Sequence, residues 1–522
     1  MLTVWVFGDQ INRAIASLVD RTPGDCRVLL VTSAAKISSK RWHRQRLHLV
    51  LSAMDHFAEE LRSEGFEVDQ RQAPSMAEGL ADHVAEFSPD SVEVMEPMSW
   101  DGRAMLERLD GELDVDVEVV RNNQFLCHYD EFEEWAAGRK SFKMEDFYRW
   151  QRTRLDILME PAPGSGSKDG SKKAVPVEGQ WNFDKDNREP PPNDGRSWPE
   201  ITNFDLDDID TGIIEKYLSD AGDNSDGDVW GAEPDGTWPV TREQALTRLD
   251  EFVETALAPF GPHEDAMLAA EWKLAHSVLS SSMNLGLLHP GEVAEAAEAA
   301  YQAGQAPINS VEGFVRQVIG WREYVWGVYW LWMDDDYRTK NALDATRPVP
   351  PVFTGEAGTD MACVASVIGH LHDHGYTHHI ERLMVLGNLA LTAGVDPQAM
   401  TQWMWASFVD GAEWVMLPNV VGMALHADGG MMATKPYASG GAYINRMGDS
   451  CKGCRYNPKK RVGDDACPFT SLYWDFLARN ENAFQDNHRM GQQLAGMRRL
   501  KDLEDVRERA AEVLVLLDEG RL

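Results

Sequence analysis

Three cysteines near the end of the chain form its densest chemical signal. Two residues separate Cys451 from Cys454, and twelve separate Cys454 from Cys467. Because a tight turn brings the first two sulfurs together, thiolates at this spacing can converge on one metal centre. A fourth ligand must come from the remaining cysteines, which are Cys363, the natural candidate, Cys26 and Cys127. The pattern favours an iron–sulfur cluster, since a Cys-Pro pair closes many cluster motifs, over a zinc ion or metal-free thiols.

Two adjacent histidines, His378 and His379, form a second signal. Neighbouring residues of a helix lie about 100° apart around its axis, so the two side chains cannot share a face. One can therefore line a cavity while the other packs. Imidazole titrates near neutral pH and is suited to giving or taking a proton in catalysis. The alternative is a pair of histidines that only cap or pack.

The first 121 residues alternate short apolar runs with stretches of helical periodicity. This alternation predicts a Rossmann-like, doubly wound parallel sheet. Helices are predicted at Arg46–Glu64 and Met76–Phe87. The first strand leads into Gly8-Asp9-Gln10 and not into GxGxxG, so the standard dinucleotide fingerprint is absent. The predicted strands are Leu2–Phe7, Arg27–Thr32, Glu67–Gln72, Ser91–Glu96 and Asp116–Val120.

The rest of the chain consists of two regions that differ in composition and in predicted secondary structure. Residues 161–238 hold a Pro-Gly-Ser-Gly-Ser stretch, a run of three prolines and many aspartates, which is typical of a long, partly flexible connection. An aromatic island inside it, Trp181–Asp184, should dock on another part of the protein. From Thr241 onward the predicted elements are helices, at Arg242–Ala256, Ser310–Trp332, Asp360–His374, His379–Ala393, Asp396–Val409, Phe469–Leu477 and Glu504–Leu517. We therefore predict an α/β domain over 1–130, a connecting segment over 131–240 and a large all-α domain over 241–522.

The charge of the chain limits its partners. Its 85 acidic and 50 basic residues among 522 give a formal net charge of −35. Such a surface repels nucleic acid, so any nucleic-acid site must be a local basic island. We interpret the acidic excess, which is spread along the whole chain, as halophilic adaptation. The sequence shows no signal peptide, membrane span or disulfide scaffold, and we expect a cytoplasmic monomer with reduced cysteines.

Several motifs of the helical part, taken together, resemble the photolyase and cryptochrome superfamily. They are His276–Ser280, Asn284–Leu288, Phe314–Tyr324 with its Trp-Arg-Glu, His378–Met384 and Asp410–Met423. With the cysteines, they are similar to the bacterial iron–sulfur branch, the prokaryotic (6-4) photolyases and related cryptochromes. The N-terminal motifs of that branch are also present, at Gly8–Gln10, Ser52–Leu61 and Trp181–Asp184. The resemblance covers nearly the whole chain.

The resemblance implies three cofactors. An α/β antenna domain would carry a 6,7-dimethyl-8-ribityllumazine beside Phe7, Asp9 and Gln10, where a strand ends. A 4Fe–4S cluster would be held by Cys363, Cys451, Cys454 and Cys467. The helical domain would hold a U-shaped FAD, and the residues that carry over to its site are His276, Ser277, Leu279, Ser280, Arg316, Trp321, Arg382, Trp403, Asp410 and Asn419.

The resemblance also implies roles for individual side chains. The polar groups of His276, Ser277 and Ser280 near a helix start would suit the FAD pyrophosphate. The Arg382–Asp410 pair would lie against the flavin ring, and Asn419 would face its N5 atom. In repair of a (6-4) lesion, His379 would protonate the lesion, and His378 would support it. Gln317, where cyclobutane-dimer enzymes usually carry Glu, favours the (6-4) lesion.

UV-damaged DNA, the implied partner, needs a basic surface that holds its backbone while the lesion leaves the base stack. The candidates are Lys435, Arg446, Arg455, Lys459, Lys460 and Arg461. A second basic island comprises Arg41, His43, Arg44 and Arg46, at the start of a helix of the α/β domain.

Three residues depart from the pattern of the branch. Phe353 and Met404 replace a tryptophan and a tyrosine of the usual electron relay beside Trp403, so the outward path looks broken. Lys36 replaces an acidic residue near the antenna and leaves the antenna's identity open. The predicted function is light-driven repair of (6-4) photoproducts by an electron from reduced FAD. The alternatives are a cryptochrome-type photoreceptor without repair and a flavoprotein whose cluster is only structural.

Overall fold

A five-stranded parallel sheet forms the core of the N-terminal part in this computed structural model, which describes residues 1–140, 142–162, 174–218 and 229–522. The strands are β1 (Leu2–Val6), β2 (Cys26–Ser33), β3 (Glu67–Ala73), β4 (Val92–Met95) and β5 (Val117–Val120). Their order is β3-β2-β1-β4-β5, with every pairing parallel. The strand order reverses beside β1, so the residues that follow this strand lie at the position where such sheets bind ligands. All five predicted strands are confirmed.

Helices cover both faces of this sheet because successive strand residues point to opposite sides. Val4 and Val6 of β1 belong to one buried cluster with Phe57 of the Arg44–Ser63 helix. Trp5 belongs to a second cluster on the other face. The helices around the sheet are Ala34–Ile37, Arg44–Ser63, Met76–Phe87 and Trp100–Glu112.

The connecting segment is more ordered than its composition suggests. Its Pro-Gly-Ser-Gly-Ser stretch lies outside the described residues. The aromatic island docks as expected, since Phe183 N–H donates to Glu312 Oε2 at 2.8 Å and Arg152 donates to the Trp181 carbonyl at 3.0 Å. The elements here are the helices Tyr129–Ala136, Met144–Leu155 and Asp208–Ile213, the antiparallel strands β6 (Met159–Pro161) and β7 (Ala174–Pro176), and the short turns Val177–Gly179, Asp184–Asp186 and Ile214–Leu218.

The remainder of the chain is helical, as predicted. One buried apolar cluster contains Val4 of the sheet and Leu517 of the last helix, so packing continues across residue 240. The domain boundaries stay a prediction. Within the described ranges, no helix is both long and apolar enough to cross a membrane. The longer helices are Arg242–Glu251, Pro290–Gln302, Ile308–Val315, Glu323–Trp332, Ala362–His374, Pro397–Ser407, Pro468–Arg479 and Leu503–Asp518, and the shorter ones are Leu257–Phe260, Ser280–Leu285, Asp335–Arg338, His379–Glu381, Asn388–Ala393, Glu413–Leu417, Gly441–Met447, Ser450–Lys452, Glu481–Phe484, His488–Met490 and Gly491–Met497.

Wide, π-type turns occur in the helical part at Phe252–Ala256, Arg316–Arg322, Arg382–Gly387 and Pro418–Ala424. Two of them, Arg316–Arg322 and Arg382–Gly387, interrupt helices that the sequence predicts as continuous. Such turns are rare and occur frequently at functional sites, because each one re-aims the side chains that follow it. The last three of these turns carry the predicted site residues Gln317, Arg382 and Asn419.

Candidate functional site

An ion pair between Arg382 and Asp410 anchors the candidate site. The guanidinium contacts both carboxylate oxygens, at 2.9 and 3.1 Å, and its Nε donates to the Thr377 carbonyl at 2.7 Å. The Ser280 hydroxyl donates to Asp410 Oδ2 at 2.7 Å. Burial alone would raise the pKa of Asp410, but Arg382 and Ser280 lower it below its usual value. The pair is therefore charged, and it joins three segments that are far apart in the sequence.

The two adjacent histidines lie on different sides of their segment. His378 is fully buried and its ring stacks on His276, with centroids 4.6 Å apart and planes 12° apart. His379 is exposed to solvent. Although part of its surface meets solvent, the surrounding protein removes much of the hydration of the His379 ring, and this desolvation and the charge of Arg382 lower its pKa to about 4. Burial lowers the pKa of His276 to about 3. His378 is the extended residue before the short helix His379–Glu381, so the different directions of the two side chains do not follow from the helical spacing used in the prediction. The roles of both histidines stay predictions. We call His276, His378, His379, Arg382 and Asp410 the histidine site.

A buried carboxyl group that the sequence analysis missed lies next to this site. Gln317 donates to Glu264 Oε1 at 2.8 Å. Burial, together with the charges of Asp265, Asp184 and Glu312, raises the pKa of Glu264 to about 8. A carboxyl group with this pKa exchanges its proton near neutral pH. The only sign of this group in the sequence is the acidic pair Glu264-Asp265 inside an otherwise apolar stretch.

The segment before the Ser280–Leu285 helix has the features of a ligand-binding turn. Val278 has a left-handed φ of 52°, which is strained for a β-branched residue. Leu279 is fully buried, and the Ser277 hydroxyl accepts from its N–H at 3.4 Å. Three buried polar atoms here have no hydrogen-bond partner among the described residues, namely His276 Nε2, Ser281 Oγ and Ser282 Oγ. Because such atoms are costly, the segment fits a polar ligand such as the phosphates of FAD.

Three other predicted FAD contacts already have protein partners. Arg316 pairs with Glu145 at 2.6 Å. The Asn419 amide donates to the Val415 carbonyl of its own helix at 2.8 Å, which leaves its oxygen available. Trp321 is half-buried and packs edge-on against Tyr324.

The predicted relay position is an aromatic stack. Phe353 is fully buried and stacks on Trp403, with centroids 5.1 Å apart. Trp403 meets Phe408 edge-on at 6.2 Å, and the Arg382 guanidinium lies 4.2 Å from the Phe408 ring. A second group of indoles, Trp326, Trp330 and Trp414, forms a separate chain with neighbouring centroids 5.5 and 5.7 Å apart.

The end of β1 faces the helical domain. Gln10 is fully buried, and its amide donates to the carbonyls of Met95 and Glu96 at 3.1 Å, so its side chain links two strand ends. Phe7 is buried, and burial raises the pKa of Asp9. The antenna assignment of these three residues stays a prediction.

The basic island at the start of the Arg44–Ser63 helix is not a free surface. His43 is fully buried, and its Nε2 lies 3.1 Å from the His372 carbonyl. Arg46 donates to the carbonyls of Phe408 and Val409 at 3.3 and 3.0 Å. His43 and Arg46 therefore join the α/β part to the helical part, and neither lies on an exposed basic surface.

Four cysteines line one cavity, which we call the cysteine cavity. Cys363 comes from the start of a helix, Cys451 and Cys454 from a short turn, and Cys467 from the residue before the Pro468–Arg479 helix. The other two cysteines lie elsewhere, with Cys26 in β2 and Cys127 bonded through its N–H to Glu323.

The spacing of these sulfurs exceeds that of a zinc site. Zinc–sulfur bonds of about 2.3 Å place tetrahedral sulfurs roughly 3.8 Å apart. In the part of the chain that the structure describes, no three cysteine sulfurs lie within 4.8 Å of one another. The cavity therefore fits a larger group than a single ion.

The predicted basic rim is partly neutralised. Arg455 pairs with Asp360 at 2.6 Å, Lys460 with Asp465 at 2.6 Å and Arg461 with Asp502 at 2.8 Å. The other three candidates, Lys435, Arg446 and Lys459, are exposed.

The chain is similar to photolyase sequences over its whole length. It is 41% identical over 523 residues to the (6-4) photolyase of Agrobacterium fabrum strain C58, with 99% of each chain covered. The family described as deoxyribodipyrimidine photo-lyase-related protein matches residues 4–229. A shorter match, 29% identical over 102 residues, covers 20% of this chain and 76% of an uncharacterized protein of Acanthamoeba polyphaga mimivirus.

The fold is shared with a solved photolyase. A bacterial class III photolyase from Agrobacterium tumefaciens superposes with a TM-score of 0.57 at 16% identity, with 99% of this chain and 98% of that chain covered. The predicted fold class, an α/β domain followed by a large helical domain, is confirmed. Given its full-length similarity to a curated relative, the chain belongs to the photolyase-related family.

Proposed function

We propose that this protein is a light-driven DNA repair enzyme that acts on (6-4) photoproducts. The observation that carries the proposal is an outward-facing histidine, His379, directly beside a charged Arg382–Asp410 pair. The full-length relative named (6-4) photolyase supports the same reaction. Gln317, at the position where dimer-specific relatives carry a carboxylate, supports this lesion over the cyclobutane dimer.

FAD, when bound and reduced, supplies an electron to the lesion under light and takes it back afterwards. The chain's own residues bind and orient the reactants. With FAD bound, the Arg382 cation would stabilise negative charge on the flavin, and Asp410 holds that cation in place. The unpartnered Ser281 and Ser282 hydroxyls supply polar contacts for the phosphates.

His379 moves the proton that repair requires. With a pKa of about 4 it is neutral at pH 7 before DNA binds. The approach of DNA phosphates stabilises the imidazolium and raises this pKa, so the ring gains its proton when the lesion arrives. His378, buried and stacked on His276, stays neutral and positions its neighbour.

The cysteine cavity is proposed to hold a 4Fe–4S cluster through Cys363, Cys451, Cys454 and Cys467. Sulfurs spaced too widely for one zinc ion support this assignment over a structural zinc. A lumazine antenna near Phe7, Asp9 and Gln10 remains part of the proposal. The exposed cations Lys435, Arg446 and Lys459 would contact the DNA backbone.

The test uses purified holoprotein, blue light and separate oligonucleotides that carry each lesion. The parental protein should repair the (6-4) lesion and not the cyclobutane dimer. His379→Ala should keep its FAD and its photoreduction yet lose roughly 10²- to 10⁴-fold in repair rate. DNA affinity should change little, because backbone contacts carry most of it.

A matched control is His372→Ala, which removes an exposed histidine that pairs only with the adjacent Asp373 side chain. It should repair at the parental rate. Repair by His379→Ala at the parental rate would place the proton donor elsewhere. A parental protein that repairs neither lesion would support the photoreceptor alternative.

A further inference from the structure

Two histidines and two aspartates meet where the connecting segment packs on the α/β domain. His48 and His56 lie on one face of the long helix beside the sheet, and Asp207 and Asp210 lie at the start of a short helix opposite. His56 Nε2 lies 3.5 Å from Asp210 Oδ1 and 3.7 Å from Asp207 Oδ1. Within the described ranges, His56, Asp207 and Asp210 are the only group of at least three His, Cys, Asp or Glu ligand atoms within 4.8 Å of one another.

The protein's own polar contacts to this cluster are long. The Asp210 side chain is only 2% exposed, and its Oδ2 accepts from the Asp207 N–H at 3.2 Å. Its Oδ1 is buried without a hydrogen-bond partner. The nearest imidazole nitrogens, of His48 and His56, lie 3.4 and 3.5 Å away, beyond the usual range of about 2.7–3.2 Å. Because these contacts are long, they compensate the buried carboxylate only in part, and the position can accept a cation.

We propose that His56, Asp207 and Asp210 bind one divalent transition-metal ion of the zinc class. Imidazole nitrogens and carboxylate oxygens bind zinc at about 2.0–2.2 Å, which places tetrahedral ligand atoms roughly 3.3–3.6 Å apart. The separations of 3.5 and 3.7 Å around His56 Nε2 agree with this geometry. The Asp207 side chain is 56% exposed, so the fourth position faces solvent.

The ion fastens the connecting segment to the α/β domain. Asp207 Oδ1 is already fixed, since it accepts from the N–H groups of Ile209 and Asp210 at 2.8 and 3.2 Å. His48 Nε2 lies 3.2 Å from the Ser52 hydroxyl and 3.4 Å from Asp210 Oδ1, so its ring limits the movement of the carboxylate from behind. A metal that binds the folded chain and not the unfolded chain stabilises this contact.

The test uses the holoprotein with its iron and FAD in place, washed with a chelator and titrated with Zn²⁺ or with Co²⁺ as a spectroscopic probe. We expect about one bound Co²⁺ per chain beyond the iron, the visible absorption of a four-coordinate ion, and a melting temperature that rises with Zn²⁺. His56→Gln and Asp210→Asn should each weaken binding more than about 100-fold. His48→Gln should weaken it about 10- to 100-fold, as groups that orient a ligand do.

The matched control is His372→Gln, which alters an exposed His–Asp pair that has no third ligand nearby, and it should bind as the parent does. Circular dichroism and iron content check the fold of each variant, and His56→Gln decides the question alone if Asp210→Asn does not fold. Parental protein that binds neither ion would overturn the proposal and identify a His56–Asp210 ion pair. Equal binding by the parent and His56→Gln would also overturn it. Repair activity is not a readout, so this result stands apart from the proposed function.

Discussion

The histidine site and the cysteine cavity lie in the same helical domain but are built in opposite ways. In the histidine site, protein bonds already fix the side chains, since Arg382 contacts both oxygens of Asp410 and a backbone carbonyl. The cysteine sulfurs come from a helix start, a short turn and a second helix start, and among the described residues no three of them lie within 4.8 Å of one another. The comparison teaches that protein bonds position the ligands of the histidine site, whereas in the cysteine cavity the proposed cluster would join the segments.

The largest expected effect follows from this difference at the cysteine cavity. Cys454→Ala should remove the iron and abolish soluble expression, because the group it binds joins the segments around Cys363, Cys451 and Cys467. Iron and protein in the soluble fraction are the measurements. Cys26→Ala is the control, since this buried cysteine belongs to β2 and should keep its iron. Full iron content in Cys454→Ala would remove this residue from the ligand set.

The second effect tests whether protein bonds hold the histidine site. Arg382→Met leaves Asp410 buried without its partner and should destabilise the protein by about 3 kcal/mol, measured as a shift of the urea midpoint. The side chains are 18% and 8% exposed. The double variant Arg382→Met/Asp410→Leu should recover part of the loss, because no unpaired charge remains.

The control for this ion pair lies beside the cysteine cavity. Arg455 and Asp360 pair at the surface, with side chains 61% and 57% exposed. Arg455→Met should shift the urea midpoint far less than Arg382→Met, since solvent screens exposed pairs. Equal losses for Arg382→Met and Arg455→Met would contradict the contrast between the two regions.

Much of this molecule is predictable from local pattern. The strands alternate buried residues to both faces of the sheet, and the Cys451–Cys454–Cys467 spacing marks one cavity without any tertiary information. Motif resemblance correctly brings together Arg382, Asp410 and the histidines. The confirmed family membership explains why this works over the whole chain.

The features that the sequence analysis missed or misinterpreted share one physical cause, which is contact between residues far apart in the sequence. Glu264 acquires its raised pKa from burial and from charges on other segments. Arg46 bonds to carbonyls of the helical domain, a contact that its place in the sequence does not indicate. Halophilic adaptation, inferred from the charge of −35, stays a prediction.

The third effect concerns stability against pH. The folded protein keeps His43 and His276 neutral down to a pKa of about 3 and His379 down to about 4. Unfolded histidines bind protons near pH 6.5, so below this pH the unfolded state binds more protons and the folded state loses stability. Glu264, with its pKa raised to about 8, acts in the opposite direction, since its folded form gains stability as the pH falls from about 8 towards 4.5. Burial also raises the pKa of other carboxyl groups, such as Glu312, Glu323 and Glu381, which act in the same direction as Glu264. We expect the histidines to outweigh them, so urea midpoints should fall between pH 6.5 and 4.

The contribution of one histidine to acid stability can be measured with the variant His276→Gln. His276→Gln should flatten the acid loss, because it removes one neutral histidine of the histidine site. If the urea midpoint of His276→Gln depends on pH as the parent's does, other groups control acid stability and burial does not keep His276 neutral.

The smallest expected effect concerns the aromatic stack beside the histidine site. Phe353 does not readily hold an electron hole, although it stacks on Trp403 at 5.1 Å. Phe353→Trp should therefore speed photoreduction of the flavin under blue light with a thiol reductant, measured by the loss of flavin absorbance. The larger indole must enter a fully buried position, at a stability cost of roughly 1–3 kcal/mol, so the comparison is made well below the melting temperature. Trp403→Phe is the matched change on the other side of the stack and should slow the reaction. If neither substitution alters the rate, the electron arrives through Trp326, Trp330 and Trp414, and the stack only fills space.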